Sequence, residues 1–349
     1  MNFYPLTFEP VYKKKIWGGR KLAEVFKREL PGNKIGESWE LAAHPNGTSI
    51  VNNGPLKGTS LRDLVQKFPL QVIGNEHQEV SKKGFPLLIK FLDASDRLSV
   101  QVHPDDHYSG LVEGEQGKTE MWYIINAEPG ARLVYGVKPG ISKERFADAL
   151  QKGQLESCLN EIEVKKGEVY FIPAGTVHAI MEGILIAEIQ QNSDTTYRVY
   201  DWNRPGKDGN PRPLHIKQAL EVINFSQENG NNLPLVVNNK DYLKEYLTIC
   251  PYFAVELFKL SGEIPLYPDG ERFYILISLA GQGEIICNDI NLEIKPGMTI
   301  LLPAVLEEVI IRGKLQFINT YIPPSREELR ANLRREGFSE EEIEGFLEI

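Results

Sequence analysis

Short runs in which apolar and polar positions alternate recur along most of the chain, the period-two pattern of half-buried strands, while helical periodicity is confined to a few windows. Residues 1–59 predict irregular structure and short strands, with Trp17-Gly18-Gly19 and Gly36-Glu37-Ser38-Trp39-Glu40 as compact turn-plus-aromatic units. Ser60-x-x-Asp63 predicts a capped helix running to Phe68. Residues 85–103, FPLLIKFLDASDRLSVQVH, predict two strands about an Asp-Ala-Ser-Asp turn, the second alternating at Leu98, Val100 and Val102. EMWYIIN at 120–126 and ARLVYGV at 131–137 predict the two arms of a hairpin. A helical pattern on Phe146, Leu150 and Leu155 interrupts at 142–160, and strands resume over 161–200. Within that block, Val169, Phe171 and Ile172 form an apolar run that Pro173 ends, because proline has no N–H for a ladder. Gly175 then allows a sharp reversal, and His178 opens the next strand beside the turn. NRPGKDGNPRP at 203–213 is a loop, and 214–225 predicts a helix with Leu214, Leu220 and Ile223 on one side.

Beyond a polar stretch at 226–234, SQENGNNLP, the pattern repeats. ERFYILI at 271–277 resembles EMWYIIN, and IKPGMTILLPA at 294–304 resembles VKKGEVYFIPA at 164–174, with Gly297 and Pro303 matching Gly167 and Pro173. This is an internal duplication. The second copy lacks the 142–160 helix, aligns Glu271 with Glu120, and has Glu308 at the place of His178. The last histidine in the chain is His215, so no histidine-bound metal is expected in the second copy. In the tail, Ser325-x-x-Glu328 and Ser339-x-x-Glu342 predict two short capped helices parted by Gly337. The expected fold is mainly β: two jelly-roll-like barrels with small helical insertions and a helical C-terminal tail. The expected divisions are 1–225 (first barrel and its helices), 226–234 (linker), 235–323 (second barrel) and 324–349 (tail).

Composition narrows the function. A chain of 349 residues can bury a sizeable core in two domains, and no apolar run reaches 18 residues. The N-terminal MNFYPLTFEPVYKKKIW carries no secretory pattern, and three scattered cysteines (Cys158, Cys250, Cys287) point to reduced thiols in a cytoplasmic protein. A net charge of −9 without charge blocks argues against nucleic acid or anionic membrane as partner. An anionic substrate would therefore need a local basic pocket.

Gln101 and His103 share one face of an alternating strand, Glu120 opens the next strand and His178 a later one. Two imidazoles, a carboxylate and an amide oxygen suit one borderline divalent ion, zinc first among them, with room left for water or substrate. Lys118, Arg198 and Arg204 form a basic set suited to phosphate, with the two arginines placed to share one face of a strand-like stretch. Glu188, between apolar residues in LIAEIQQNSD, is either the buried partner of an arginine or a catalytic group.

Several stretches together resemble the type I mannose-6-phosphate isomerases, double-cupin zinc enzymes, in their shorter bacterial form. They are YKKKIWGG (12–19), GESWELAAHPNG (36–47), LSVQVHPDD (98–106), GKTEMWYI (117–124), PAGTVH (173–178) and NSDTTYRVYDWNR (192–204). The Gly167…Pro173-x-Gly175-x-x-His178 hairpin is similar to the second metal motif of cupin barrels. The resemblance implies metal ligands at Gln101, His103, Glu120 and His178. It implies a substrate-contacting serine at Ser99, a pocket lysine at Lys118, a catalytic arginine at Arg198 and a pocket glutamate at Glu188. Arg204 stands where larger members have a lysine. The implied reaction interconverts mannose 6-phosphate and fructose 6-phosphate through an enediol, with Glu188, Lys118 and a metal-bound hydroxide all open as the base. Two other readings are a non-catalytic sugar-phosphate sensor and a cupin dioxygenase; the retained ligand set speaks against the first, the glutamine and basic cluster against the second.

Overall fold

The computed structural model describes residues 2–77, 79, 83–206, 209–226 and 233–347. The chain is mainly β and falls into two compact units. One comprises Val11–Trp39 and Leu87–Asn231, the other Met1–Pro10, Glu40–Pro86 and Asn232–Ile349. This division differs from a contiguous 1–225 block: the strand Leu6–Glu9 pairs with Thr299–Leu302 of the second unit, at Leu6↔Leu301. Of the expected 226–234 linker, 227–232 lie outside the described residues, as do 348–349 of the tail.

The first unit is built from two antiparallel sheets. A six-stranded sheet runs in the order Val169–Ile172, Glu120–Ala127, Ile184–Gln191, Leu87–Ala94, Val11–Gly19, Ile35–Leu41. A five-stranded sheet runs Leu159–Glu163, Arg132–Val137, His178–Ile180, Val100–Val102, Tyr197–Tyr200. Trp17, Trp122, Ile124 and Ile186 of the first sheet pack with Leu133, Tyr135 and Ile180 of the second, all buried in one core cluster. Each such side chain contributes about 1.5–3 kcal/mol of apolar burial.

The expected hairpin of 120–126 with 131–137 does not form. The two runs are strands, but they belong to different sheets: Glu120–Ala127 pairs with Val169–Ile172 and Ile184–Gln191, whereas Arg132–Val137 pairs with Leu159–Glu163 and His178–Ile180. Their central residues are buried on both faces, so alternation could not name their partners. The turn at Pro129-Gly130, closed by Ala131 N–H to the Glu128 carbonyl at 3.0 Å, carries the chain from one sheet to the other.

The expected helices appear with tighter bounds. Leu61–Lys67 is capped by the Ser60 hydroxyl accepting from Asp63 N–H. Lys143–Gln151 is followed by a short 3-10 turn, Leu155–Cys158, so the strands resume at Leu159. Ile216–Val222 is shorter than 214–225. The tail forms Arg326–Arg335 and Glu340–Leu347, whose Leu329, Leu333, Ile343 and Phe346 are buried in a cluster with Tyr246 and Tyr321.

The second unit centres on one large sheet in which the long strands Tyr274–Cys287 and Val309–Tyr321 pair along their length. Its register revises one alignment. Ile172, before Pro173, faces Glu120 across the ladder; Leu302, before Pro303, faces Tyr274. Tyr274, and not Glu271, therefore stands where Glu120 stands in the first unit.

Candidate active site

The sheet registers assemble the ligand set. Gln101 is paired with His178 on one side and with Arg198 on the other, so these three side chains form a row across the five-stranded sheet. Glu120 approaches from the six-stranded sheet, and His103 lies one residue beyond the strand Val100–Val102. Ligand atoms of His103, Glu120 and His178 all lie within 4.8 Å of one another. The amide end of Gln101 is 3.3 Å from His178 Nε2. Gly175, at φ +89°, permits the tight reversal before His178, and its N–H donates to the His103 carbonyl at 2.8 Å, tying the two histidine segments together.

Hydrogen bonding orients both rings. His103 Nδ1 meets the Thr195 carbonyl and His178 Nδ1 the Thr176 carbonyl, each at 2.9 Å, so both Nε2 lone pairs turn toward the cluster. Burial, reinforced by Lys118 and the other imidazole, holds His103 well below the ordinary histidine value; burial holds His178 at about 4. Both imidazoles are therefore neutral at pH 7, the form in which a histidine can bind a metal. Glu120 is fully buried, and burial raises its carboxyl above the usual range against the pull of Lys118. Lys118 Nζ forms an ion pair at 3.3 Å from Glu120 Oε2, outside hydrogen-bond geometry, and neither carboxylate oxygen accepts a hydrogen bond. A buried carboxylate with one long lysine contact beside two oriented imidazoles is an arrangement a cation satisfies. Among the described residues it is the one cluster of this kind.

Gln101 and Lys118, which touch the cluster, also line a cavity of about 310 Å³ whose other walls include Ser99, Glu188, Arg198 and Arg212. That volume suits a small ligand. Lys118 is fixed at its backbone, where N–H donates to the Pro104 carbonyl at 3.0 Å, and Gly117 before it lies so close to Asp105 and Asp106 that a Cβ would meet Asp106 N at 2.4 Å. Arg198 donates from Nε to Ser99 Oγ at 3.3 Å and from one terminal nitrogen to the Pro213 carbonyl at 2.9 Å. Glu188 receives Lys90 Nζ at 3.1 Å on one oxygen and Trp122 Nε1 at 3.1 Å on the other. Burial would raise its carboxyl, but Lys90 and Lys118 outweigh burial and lower it. Its partner is a lysine, not the arginine the sequence suggested.

Eight of the nine sequence candidates thus gather at the cluster and cavity. Arg204 does not line the cavity: its guanidinium bonds Asp201 at 3.1 Å and Asp96 at 3.1 Å. The strand ends at Tyr200, and Trp202 and Asn203 take positive φ, so the chain turns before Arg204 can share a face with Arg198. Arg212 lines the wall instead, held by Asp201. Sequence reasoning also passed over Lys15, Glu37, Lys90 and Asp194. Lys90 had a signal, a lone cation in the apolar run FPLLIKFL, since a charge on a fully buried strand needs a partner.

The sequence model of the phosphomannose isomerase type I catalytic domain matches residues 6–129, and that of the mannose-6-phosphate isomerase cupin domain matches 243–322. A mannose-6-phosphate isomerase of Streptococcus mutans is 39% identical over 318 residues, covering 91% of this chain and 98% of the relative. The mannose-6-phosphate isomerase ManA of Bacillus subtilis is 39% identical over 326 residues, covering 92% of this chain and 100% of the relative. The crystal structure of a Bacillus subtilis mannose 6-phosphate isomerase superposes with a TM-score of 0.85 at 36% identity, over 91% of this chain and 99% of that one. With the ligand cluster and cavity lying between the sheets that these matches cover, the chain belongs to the type I phosphomannose isomerase family of cupin proteins.

Proposed function

We propose that this chain interconverts mannose 6-phosphate and fructose 6-phosphate, with one divalent ion, zinc by its donor set, held by Gln101, His103, Glu120 and His178. When bound, the ion supplies Lewis-acid stabilisation to charge developing on the sugar oxygens at C1 and C2. Arg198, fixed by Ser99 and the Pro213 carbonyl, and Arg212 take the dianionic phosphate, which orients the reacting end toward the cluster. Lys118 and Glu188 are the side chains in reach for moving the proton between C1 and C2. Glu188 is held on both oxygens by Lys90 and Trp122, and Lys118 is held by Glu120 and His103, so neither is singled out as the base.

One observation carries the proposal: a buried carboxylate with two imidazoles is joined through Gln101 and Lys118 to a small cavity that Arg198 and Arg212 also wall. The test is a coupled isomerase assay on chelator-stripped protein before and after stoichiometric zinc. Turnover of mannose 6-phosphate that returns with the metal, and none on mannose, is the expected result. Sugar-phosphate binding without turnover in the zinc-loaded protein would make the chain a sensor and sink the enzymatic proposal.

A further inference from the structure

The duplication extends to the cavity, with different chemistry in the second copy. Using the register that equates Tyr274 with Glu120, the ladder of the first unit places Glu188 opposite Trp122 and Lys90 opposite Glu188. In the second unit the same steps reach Asn319, opposite Leu276, and then Glu256, opposite Asn319. The Lys90–Glu188 pair is thus replaced by a Glu256–Asn319 pair, in which Asn319 Nδ2 donates to Glu256 Oε2 at 2.9 Å. Tyr321 OH donates to the other oxygen at 3.2 Å. These residues line a cavity of about 590 Å³ that Tyr242, Tyr246 and Tyr274 also wall.

Asn319 is fully buried, and its Oδ1 has no hydrogen-bond donor. An unsatisfied buried acceptor on a cavity wall is destabilising unless a hydrogen-bond donor reaches it. The cavity does not suit an anion. Glu256 holds the place of Lys90, and the four lining cations are balanced by Asp241, Glu256, Glu263 and Glu336. Lys244 is taken up by Glu336, Arg272 by Glu76 and Glu328, and Lys240 by Asp241, while Arg335 donates to the Asn332 side chain. Tyrosine rings beside a carboxylate and an amide acceptor suit hydroxyl groups and the apolar faces of a sugar ring. Leu329 and Asn332 of the helix Arg326–Arg335, with Glu336 at its end, complete the wall, and this segment lies past residue 322, where the cupin-domain match stops.

We propose that the second unit carries its own binding site for a neutral, polyhydroxylated molecule, a sugar without phosphate, with Asn319 and Glu256 as hydroxyl acceptors and the first tail helix as part of its wall. The probes are ¹³C-labelled D-mannose, D-glucose and glycerol, added to the full-length zinc-loaded protein and followed by saturation-transfer NMR. An equilibrium mixture of mannose and fructose 6-phosphates is present in excess to occupy the first cavity. The expected result is saturable transfer to at least one probe, with Asn319→Leu weakening binding about tenfold, the loss of one hydrogen bond to a buried group. Isomerase turnover of that variant stays within about twofold of wild type, since a change in the second unit leaves the first chemistry intact. Should Asn319→Leu fail to fold, Asn332→Trp fills the cavity from a half-buried helical position and must abolish transfer. No transfer to any of the three probes, transfer undiminished in the variants, or binding of inorganic phosphate in preference to them would overturn the proposal.

Discussion

Lys90→Met isolates the buried charge pair behind the active cavity. Methionine keeps the unbranched stem, so packing in the strand Leu87–Ala94 is largely retained while the ammonium is lost. In the wild type that ammonium lies 3.1 Å from Glu188 Oε1 and 2.6 Å from Gln190 Oε1, and both charged groups are buried. Removing it leaves Glu188 with the Trp122 indole N–H as its one hydrogen bond, at 3.1 Å. Breaking a buried ion pair from one side costs about 3–5 kcal/mol, because the remaining charge is desolvated without compensation. That is a large share of a domain stability of about 5–15 kcal/mol. Urea unfolding of the metal-stripped protein, followed by tryptophan fluorescence, reads the loss. Lys90→Met/Glu188→Gln should recover at least about 2 kcal/mol, since a neutral amide still accepts from Trp122 and no orphan charge remains. The pH dependence gives a second reading. With Lys90 present the Glu188 carboxyl is lowered, so its contribution is present above the unfolded carboxylate range and is lost as pH falls through the folded value. Without Lys90, burial raises it; the variant is then most stable in acid and weakens as pH climbs from the unfolded toward the folded value. The gap between the proteins should widen from acid to neutral pH. A Lys90→Met loss under about 1 kcal/mol, with an additive double variant and a constant gap, would refute the reasoning.

Two further outcomes follow from the ligand set and the phosphate wall. His178→Ala should lose both metal and turnover while its circular dichroism stays native, with elemental analysis falling from one ion per chain to background; because the ring is buried against Trp122, a stability loss of about 1–3 kcal/mol accompanies it, and an ion retained under chelation would remove His178 from the ligands. Arg198→Lys should cut turnover at least about tenfold, near 1.4 kcal/mol of transition-state stabilisation, with metal content unchanged, because lysine cannot hold Ser99 and the Pro213 carbonyl while also meeting a phosphate; near-normal kinetics would make Arg198 a structural residue.

What the sequence made legible was local. Gln101 and His103 are two residues apart in an alternating run, and the Pro173–His178 turn carries its own stop and reversal signals, so three of the four candidate ligands could be read from short stretches. Glu120 joins them in the sequence only as the residue opening the next strand; that it enters from the opposite sheet is fixed by no local pattern. The same limit explains the unformed hairpin. Residues 120–127 and 132–137 are adjacent in sequence and strand-like, but with both faces buried neither run shows which edge it will pair. Arg204 and Arg212 show the complementary failure. Two left-handed residues at 202 and 203 redirect the chain; asparagine tolerates that conformation, but nothing in a tryptophan announces it, and it exchanges one arginine for another at the cavity wall.

The alignment of Glu271 with Glu120 failed for a reason that bears on how the two units differ. EMWYIIN and ERFYILI match as apolar runs, and an apolar run buried on both sides slides against its copy without penalty. The Gly167–Pro173 and Gly297–Pro303 segments do not slide, because each ends in a proline at a fixed place on the ladder. Counting partners from those prolines moves the correspondence by three residues, from Glu271 to Tyr274. An odd shift exchanges the two faces of a strand, so the position that carries a carboxylate into the histidine cluster of the first unit carries a phenol ring in the second. Glu271 is exposed, and Glu308, at the place of His178 in the repeat, is exposed and accepts a hydrogen bond from Tyr267 at 2.9 Å. The two acids that alignment offered as remnants of a metal site are therefore surface groups. The groups that do face the second cavity, Tyr274, Tyr321, Asn319 and Glu256, form a hydroxyl-binding rather than a cation-binding set. Duplication kept the place of the cavity in the fold and changed the chemistry of its walls.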